Sequence, residues 1–156
     1  METHLIKDVF GAKVTLNLIN GGNDMKYFTL AEIVKSDTAD RRGINNALPQ
    51  RYVENVLRLV EQVLDPVREW YGKPVHVNSG YRCEELNKAV GGVADSFHLT
   101  GCAADIDTYS KEGNEAIFAY IRTHLPFTEL GWEGGGRWVH VALVEGREEE
   151  KEVFYA

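Results

Sequence analysis

Two histidines and one aspartate are the residues of this sequence whose types and spacing best fit a chemical role. His98 lies seven positions before Asp105, with Gly101 between them to let the chain turn back, and His140 lies further along the chain. Two imidazoles and one carboxylate form the three-ligand set that leaves a fourth zinc position open for water. The sequence therefore predicts a zinc site formed by His98, Asp105 and His140.

The segments around the last two of these residues alternate as β-strands do. In residues 103–107, Asp105 and Asp107 share one face, and small or apolar residues occupy the other. In residues 138–143, His140 lies on the face opposite the valines. Two acids side by side on a strand repel each other, and a cation would offset that repulsion. We therefore expect Asp105 and His140 to face one cleft.

The other histidines and the two cysteines have less specific surroundings. His4 lies in an unpatterned N-terminus, His76 lies on a predicted core strand, and His124 ends a predicted helix. Cys83 and Cys102 match no Cys-x-x-Cys motif. We interpret them as two reduced, partly buried thiols. A single disulfide between them is the alternative.

Hydrophobic periodicity and turn residues place these groups on a small set of elements. The predicted elements are a strand over 13–19, a turn over 21–24, a helix opened by a capping box at 29–32, a helix over 50–71 kinked at Pro66, a strand over 75–78, a helix over 83–90, a strand over 103–108, a helix over 110–125, strands over 128–133 and 137–144, and an edge strand over 152–155. Helices precede the main strands, so the predicted fold class is α+β. We expect a single domain in which N-terminal helices pack on a small antiparallel sheet that bears the zinc site.

Length and charge exclude several classes of protein. The chain has 156 residues and a net charge of −7, which is unsuited to general nucleic-acid binding. No apolar run reaches the roughly 20 residues that span a bilayer. The first residues show no basic segment followed by an apolar one, so we expect no signal peptide and synthesis in the cytoplasm.

Several short motifs resemble the D-Ala-D-Ala metallopeptidase family, which comprises zinc D,D-carboxypeptidases, D,D-dipeptidases and phage cell-wall endolysins. The motifs are SGYR at 79–82, LN at 86–87, VGG at 90–92, SxH at 96–98, GxAxD at 101–105 and WVH at 138–140, with YFTL at 27–30, SxTA at 36–39 and LDP at 64–66 in addition. The chain is most similar to the short, single-domain branch of bacteria and phages. The resemblance implies a zinc peptidase domain over 27–156, preceded by an N-terminal extension over 1–26 that contains a strand.

The resemblance also implies roles for individual residues. His98, Asp105 and His140 would bind Zn²⁺. Arg82 would bind substrate and stabilise the oxyanion that develops at the scissile carbonyl, while Ser96 would lie near the substrate backbone. The alternatives are a surface ion pair with Glu85 for Arg82 and a simple turn or loop hydrogen bond for Ser96.

The general base is where this sequence departs from the best-known members of the family. They carry an acid three residues before the second histidine, where this chain has Arg137, which cannot accept a proton. If Glu133 pairs with Trp138 across the glycine turn, Glu133 and Glu129 share the His140 face. If Glu133 pairs with Arg137, both acids point away. We choose Glu133 as the base and expect a smaller role for Glu129, which lies further from the turn; Asp107 is the next candidate.

These assignments predict a zinc metallopeptidase that hydrolyses a peptidoglycan stem peptide or another peptide containing a D-amino acid. The alternative is a zinc-containing module that binds cell-wall peptide or protein without cleaving it. We expect a monomer that binds no nucleic acid and does not insert into membranes. A lysin without a signal peptide would reach the cell wall through a phage pore.

Overall fold

The computed structural model describes the backbone strands at residues 3–7 and 13–17 and all of residues 25–156. The two N-terminal strands, β1 Thr3–Lys7 and β2 Lys13–Asn17, form an antiparallel pair. This pair confirms the predicted strand within 13–19. The turn predicted at 21–24 lies outside the described residues, and the division at residue 26 stays a prediction.

A five-stranded sheet in the order β3-β4-β6-β5-β7 carries the predicted ligands. Its strands are β3 His76–Ser79, β4 Ala103–Asp107, β5 Glu129–Glu133, β6 Trp138–Ala142 and β7 Glu152–Tyr155. Neighbouring strands are antiparallel except β5 and β7, which run parallel. The antiparallel prediction is therefore wrong for this one edge. The reason is that residues 143–151 carry the chain past β5 before β7 begins, so that β7 does not form a hairpin with its predecessor.

Six α-helices accompany the sheet in the described part of the chain. They are α1 Leu30–Val34, α2 Asp37–Arg42, α3 Val53–Leu59, α4 Asp65–Tyr71, α5 Glu84–Ala89 and α6 Lys111–His124. The predicted capping box is present, because the side chain of Thr29 accepts a hydrogen bond from the backbone N–H of Glu32 and the side chain of Glu32 accepts one from the backbone N–H of Thr29. A π-helical turn, Val60–Leu64, joins α3 to α4 directly before Pro66. Where a kink was predicted at Pro66, the structure has a wider turn, which accommodates a residue that has no N–H to donate.

One face of the sheet packs against the helices and forms the core. The fully buried residues of this face and of the helices that cover it include Ile106, Leu130, Val139, Val141, Val63, Val67, Ile117 and Ile121. Burying one side chain of this size stabilises the fold by roughly 1.5–3 kcal/mol. Because successive strand residues alternate, burial of Ile106 and Val139 obliges Asp105 and His140 to point to the opposite face. The faces predicted for both strands are confirmed, and α+β is the observed class.

Among the residues that the structure describes, no helix has both the length and the apolar character needed to cross a membrane.

Candidate metal centre

His98, Asp105 and His140 converge on one point of the polar sheet face. Asp105 and His140 are paired across β4 and β6. His98 comes from a 3₁₀ helix, Phe97–Thr100, which Gly101 ends in a left-handed conformation. His98 Nε2 lies 3.3 Å and His140 Nδ1 lies 3.0 Å from Asp105 Oδ1. One ligand atom from each of the three residues lies within 4.8 Å of the other two.

These separations fit a tetrahedral zinc ion. Bonds of about 2.0–2.2 Å in that geometry put neighbouring ligand atoms about 3.3–3.6 Å apart. Two nitrogens and one carboxylate oxygen also match the donor preferences of zinc. His98 and His140 are buried, while Asp105 is half-buried. The three residues therefore form a metal site that fits Zn²⁺, as the spacing predicted.

The far side of the His98 ring is fixed by the backbone. His98 Nδ1 lies 2.7 Å from the carbonyl oxygen of Gly80, so Nδ1–H donates there and leaves the lone pair of Nε2 for a metal. Arg82, two residues after Gly80 in the same loop, donates its backbone N–H to the carbonyl of His98 at 3.0 Å. The loop that carries Arg82 and the turn that carries His98 are thus joined at two points.

The far side of the His140 ring is held by a side chain. His140 Nε2 lies 3.2 Å from Glu129 Oε2, while Nδ1 faces Asp105. Glu129 and Glu133 lie on the His140 face because the β5–β6 register pairs Glu133 with Trp138. This is the register on which the choice of base depended. Glu129 does lie further from the glycine turn than Glu133, yet its side chain reaches along the strand to the His140 imidazole, a contact that was not expected.

Opposite charges dominate the electrostatics of the cluster. Burial alone would raise the pKa of Asp105, but the charge of His98 and hydrogen bonds from both histidines hold it well below its usual range. Burial alone would lower the pKa of His140, yet hydrogen bonds to Asp105 and Glu129 raise it to about 9. The zinc-free cluster therefore binds a proton where a metal ion would bind.

Arg82 points inward at the edge of this cluster, with its side chain 12% exposed. Its Nε donates to Ser79 Oγ and its Nη1 donates to Asn87 Oδ1, both at 3.0 Å, while Nη2 lies 3.5 Å from Asp105 Oδ2. Burial lowers the pKa of Arg82, while Asp105 and Glu133 oppose that shift. The alternative for Arg82, a surface ion pair with Glu85, is not formed. The guanidinium instead faces the metal site.

Two buried asparagines support Arg82, and neither was assigned a role from the sequence. Asn46 donates to the carbonyls of Val34 and Tyr81 and accepts from the N–H of Cys83. It therefore fixes the backbone on both sides of Arg82 to the preceding loop. Asn87 accepts from the guanidinium and donates to the carbonyl of Val93.

Gly92 is needed beside this arginine, because a Cβ there would lie 2.0 Å from Asn87 Oδ1 and 2.7 Å from Arg82 Nη1. The LN and VGG motifs were the available signal for Asn87 and Gly92, whereas Asn46 lies in neither motif.

Glu133 shares the sheet face of the metal cluster, whereas Arg137 contacts the glycine turn. Burial raises the pKa of Glu133, as does the charge of Asp105, while His140 and His98 lower it. The Glu133 carboxylate therefore interacts electrostatically with Asp105, His140 and His98. Arg137 is exposed, donates from Nε to the carbonyl of Gly134 at 3.1 Å, and lies over the Trp138 ring.

The structure brings Ser96 and Asp107 into other hydrogen bonds. Ser96 Oγ accepts from the N–H of His98 at 3.3 Å and caps the 3₁₀ helix. Its substrate role stays a prediction. Asp107 Oδ1 accepts from the backbone of Tyr109 and from Asn114, and Oδ2 accepts from Asn78. Asp107 is therefore committed to the junction of β3, β4 and α6, which makes it a weak candidate for the base.

The two cysteines and His76 are not part of the metal cluster. Cys83 and Cys102 are free thiols, so the alternative disulfide is not formed. Cys83 Sγ accepts from the N–H of Leu86 at the start of α5, and Cys102 is buried. His76 was expected on a core strand, but its strand β3 is an edge strand of the sheet, and its side chain is exposed and stacks on the ring of Tyr109.

Comparison with known proteins agrees with this geometry. The chain is 40% identical over 78 residues to a zinc D-Ala-D-Ala carboxypeptidase of Streptomyces albus G. The aligned part is 48% of this chain and spans only 30% of the relative's length. The model of the peptidase M15 family matches residues 26–142, which contain His98, Asp105 and His140. The resemblance to the D-Ala-D-Ala metallopeptidases is confirmed, and the chain belongs to the peptidase M15 family.

Proposed function

We propose that this protein is a zinc metallopeptidase that hydrolyses peptide bonds in the stem peptides of bacterial peptidoglycan, at a bond that involves a D-amino acid. The observation that carries the proposal is the cluster of His98, Asp105 and His140 with Arg82 and Glu133 beside it. Three protein ligands leave a position for water, which is the arrangement of catalytic rather than structural zinc sites.

The chemistry divides between the metal and the two flanking side chains. Bound zinc supplies a water of lowered pKa and polarises the substrate carbonyl. Glu133 accepts the proton of the attacking water and passes it to the leaving amine, so that one water and one amide give a carboxylic acid and an amine. The raised pKa of Glu133 suits this role, because a base works best when its pKa lies near the working pH.

Arg82 stabilises the charge that forms on the carbonyl oxygen. Its guanidinium is held by Ser79 and Asn87, so the direction of its N–H groups is set before substrate binds. A pre-oriented donor of this kind is worth about 3–4 kcal/mol in the transition state. Ser96, at the start of the 3₁₀ helix, is the proposed contact to the substrate backbone.

The substrate class rests on the relative, which is named as a zinc D-Ala-D-Ala carboxypeptidase. The bond between two terminal D-alanines is therefore the first to test, and the cross-links of intact peptidoglycan are the second. Action on a cross-link would favour an endolysin-like endopeptidase, and release of a terminal D-alanine would favour a carboxypeptidase. Both place the site of action in the cell wall.

The decisive assay uses two substrates with and without metal. Purified protein is incubated with a peptide ending in L-Lys-D-Ala-D-Ala and, separately, with isolated peptidoglycan, and the products are identified by mass spectrometry. We expect hydrolysis of at least one substrate, its loss on chelation and its recovery on adding zinc. The matched control is Glu133→Gln, which keeps the zinc ligands.

The competing function, a binding module without hydrolysis, is kept open by Arg137 at the position where the family usually has an acid. It predicts that zinc-loaded protein sediments with peptidoglycan yet releases no product from either substrate. That outcome would contradict the proposed hydrolysis.

A further inference from the structure

The geometry points to Glu129 as the positioning residue for the zinc ligand His140. The starting observation is the contact of 3.2 Å between Glu129 Oε2 and His140 Nε2. The other ring nitrogen, Nδ1, faces Asp105. Glu129 therefore lies on the opposite side of the ring from the metal position, where it cannot act as a ligand and is poorly placed to act as the base.

The consequence of this contact is chemical as well as geometric. A carboxylate can only accept, so a hydrogen bond to Glu129 requires a proton on Nε2 of His140. A neutral imidazole with its proton on Nε2 has a free lone pair on Nδ1. Glu129 thus selects the tautomer that can bind zinc and fixes the plane of the ring, as carboxylates do for histidine ligands of metals in general.

The strand β7 places an aromatic ring beside His140. β7 pairs in parallel with β5 and places Phe154 opposite Gly131, with the Phe154 ring 5.7 Å from the His140 ring. A Cβ on Gly131 would lie 2.4 Å from the Phe154 ring, so only glycine allows this packing. β7 lies beyond the residues that match the family model. The support of His140 therefore includes a part of this chain outside the matched region.

The zinc affinity of Glu129 variants tests the inference, which rests on the metal site of the proposed function but not on hydrolysis. Affinity is measured by competition with a chromophoric chelator. Glu129→Ala should weaken zinc binding by about 10–100-fold, the usual effect of removing such a partner. Glu129→Gln keeps an oxygen that accepts from Nε2–H, so it should retain most of the affinity.

The matched control is Glu152→Ala. Glu152 is exposed and lies opposite Glu129 in the β5–β7 register, so the Glu152→Ala substitution removes the same charge from the same edge of the sheet. We expect wild-type zinc affinity from this variant. The inference is wrong if Glu129→Ala binds zinc as tightly as the wild type, or if Glu152→Ala weakens binding equally. Thermal unfolding of the zinc-free variants shows whether each of them is folded. If Glu129→Ala is unfolded, Glu129→Gln alone decides, and a zinc affinity of Glu129→Gln well below that of the wild type overturns the inference. Absence of hydrolysis by the zinc-loaded wild type, with the zinc affinities of the variants as expected, would count against the proposed function and leave this inference standing.

Discussion

Replacing Arg82 by lysine separates charge from directed hydrogen bonding at the centre of the proposed site. The guanidinium makes hydrogen bonds of 3.0 Å to Ser79 and to Asn87 and lies 3.5 Å from Asp105. A lysine keeps the positive charge but has one nitrogen and no planar fork of donors. It cannot reach all three partners from one position, so the variant tests whether the fork matters.

The size of the effect follows from what is lost. Asn87 is 3% exposed, so leaving its oxygen without a donor costs about 1–3 kcal/mol of folding free energy. That loss lowers the melting temperature of a protein of this size by roughly 2–4 °C for each kcal/mol. Loss of the oriented donor at the oxyanion lowers kcat by about 100–1,000-fold. The zinc ligands are untouched, so zinc content should stay at the wild-type level.

The assay compares kcat, zinc content and melting temperature for Arg82→Lys with those for Glu85→Gln. Glu85 is exposed and close in sequence, and it is the partner that Arg82 would have in a purely surface ion pair. We expect the lysine variant to be folded, zinc-loaded and nearly inactive, and the glutamine variant to match the wild type. Wild-type turnover in Arg82→Lys would refute the oxyanion role.

Further predictions concern the base, the ligands, the proton balance and the thiols. Glu133→Gln should retain zinc while turnover falls by roughly 100-fold or more, because it removes the proton acceptor; an active variant would show that the base is another group. His140→Ala should lose stoichiometric zinc, and full zinc content by elemental analysis would contradict the ligand assignment. Burial lowers the pKa of His140, but hydrogen bonds to Asp105 and Glu129 raise it to about 9, so zinc binding at pH 7 should release a proton from His140. Zinc affinity should therefore increase with pH up to about 9. Calorimetry in buffers of different ionisation enthalpy measures the proton release, and a binding enthalpy independent of buffer would argue against it. Denatured, unreduced protein should show two titratable thiols from Cys83 and Cys102; one disulfide and no thiol would be the contrary result.

The alternation of residues along two strands was sufficient to predict the sheet face on which Asp105 and His140 lie. Burial of Ile106 and Val139 determines where Asp105 and His140 point, and that relation is local in sequence. The same reasoning predicted the pairing of Glu133 with Trp138 as one of two registers. Choosing between the two required the glycine turn itself, whose residues Gly134, Gly135 and Gly136 all adopt positive φ.

The supporting contacts could not be predicted, because they join distant parts of the chain. Asn46 bonds to Tyr81 and Cys83 from 35 and 37 positions away, and no local pattern indicates that its side chain is buried. The contact of Glu129 with His140 was not predicted, because strand spacing describes the backbone, whereas a glutamate side chain spans the distance to the neighbouring imidazole. The parallel pairing of β7 depends on the path of residues 143–151, which have no periodic pattern.

The central claim is that His98, Asp105 and His140 hold one zinc ion on which peptide hydrolysis depends. The most direct test is to remove metal from the protein, add zinc in steps and measure hydrolysis of the L-Lys-D-Ala-D-Ala peptide at each step. We predict that activity rises in proportion to zinc and stops rising at about one ion per chain. Full activity in the metal-free protein, or binding of one zinc ion with no hydrolysis of this peptide or of peptidoglycan, would contradict the account.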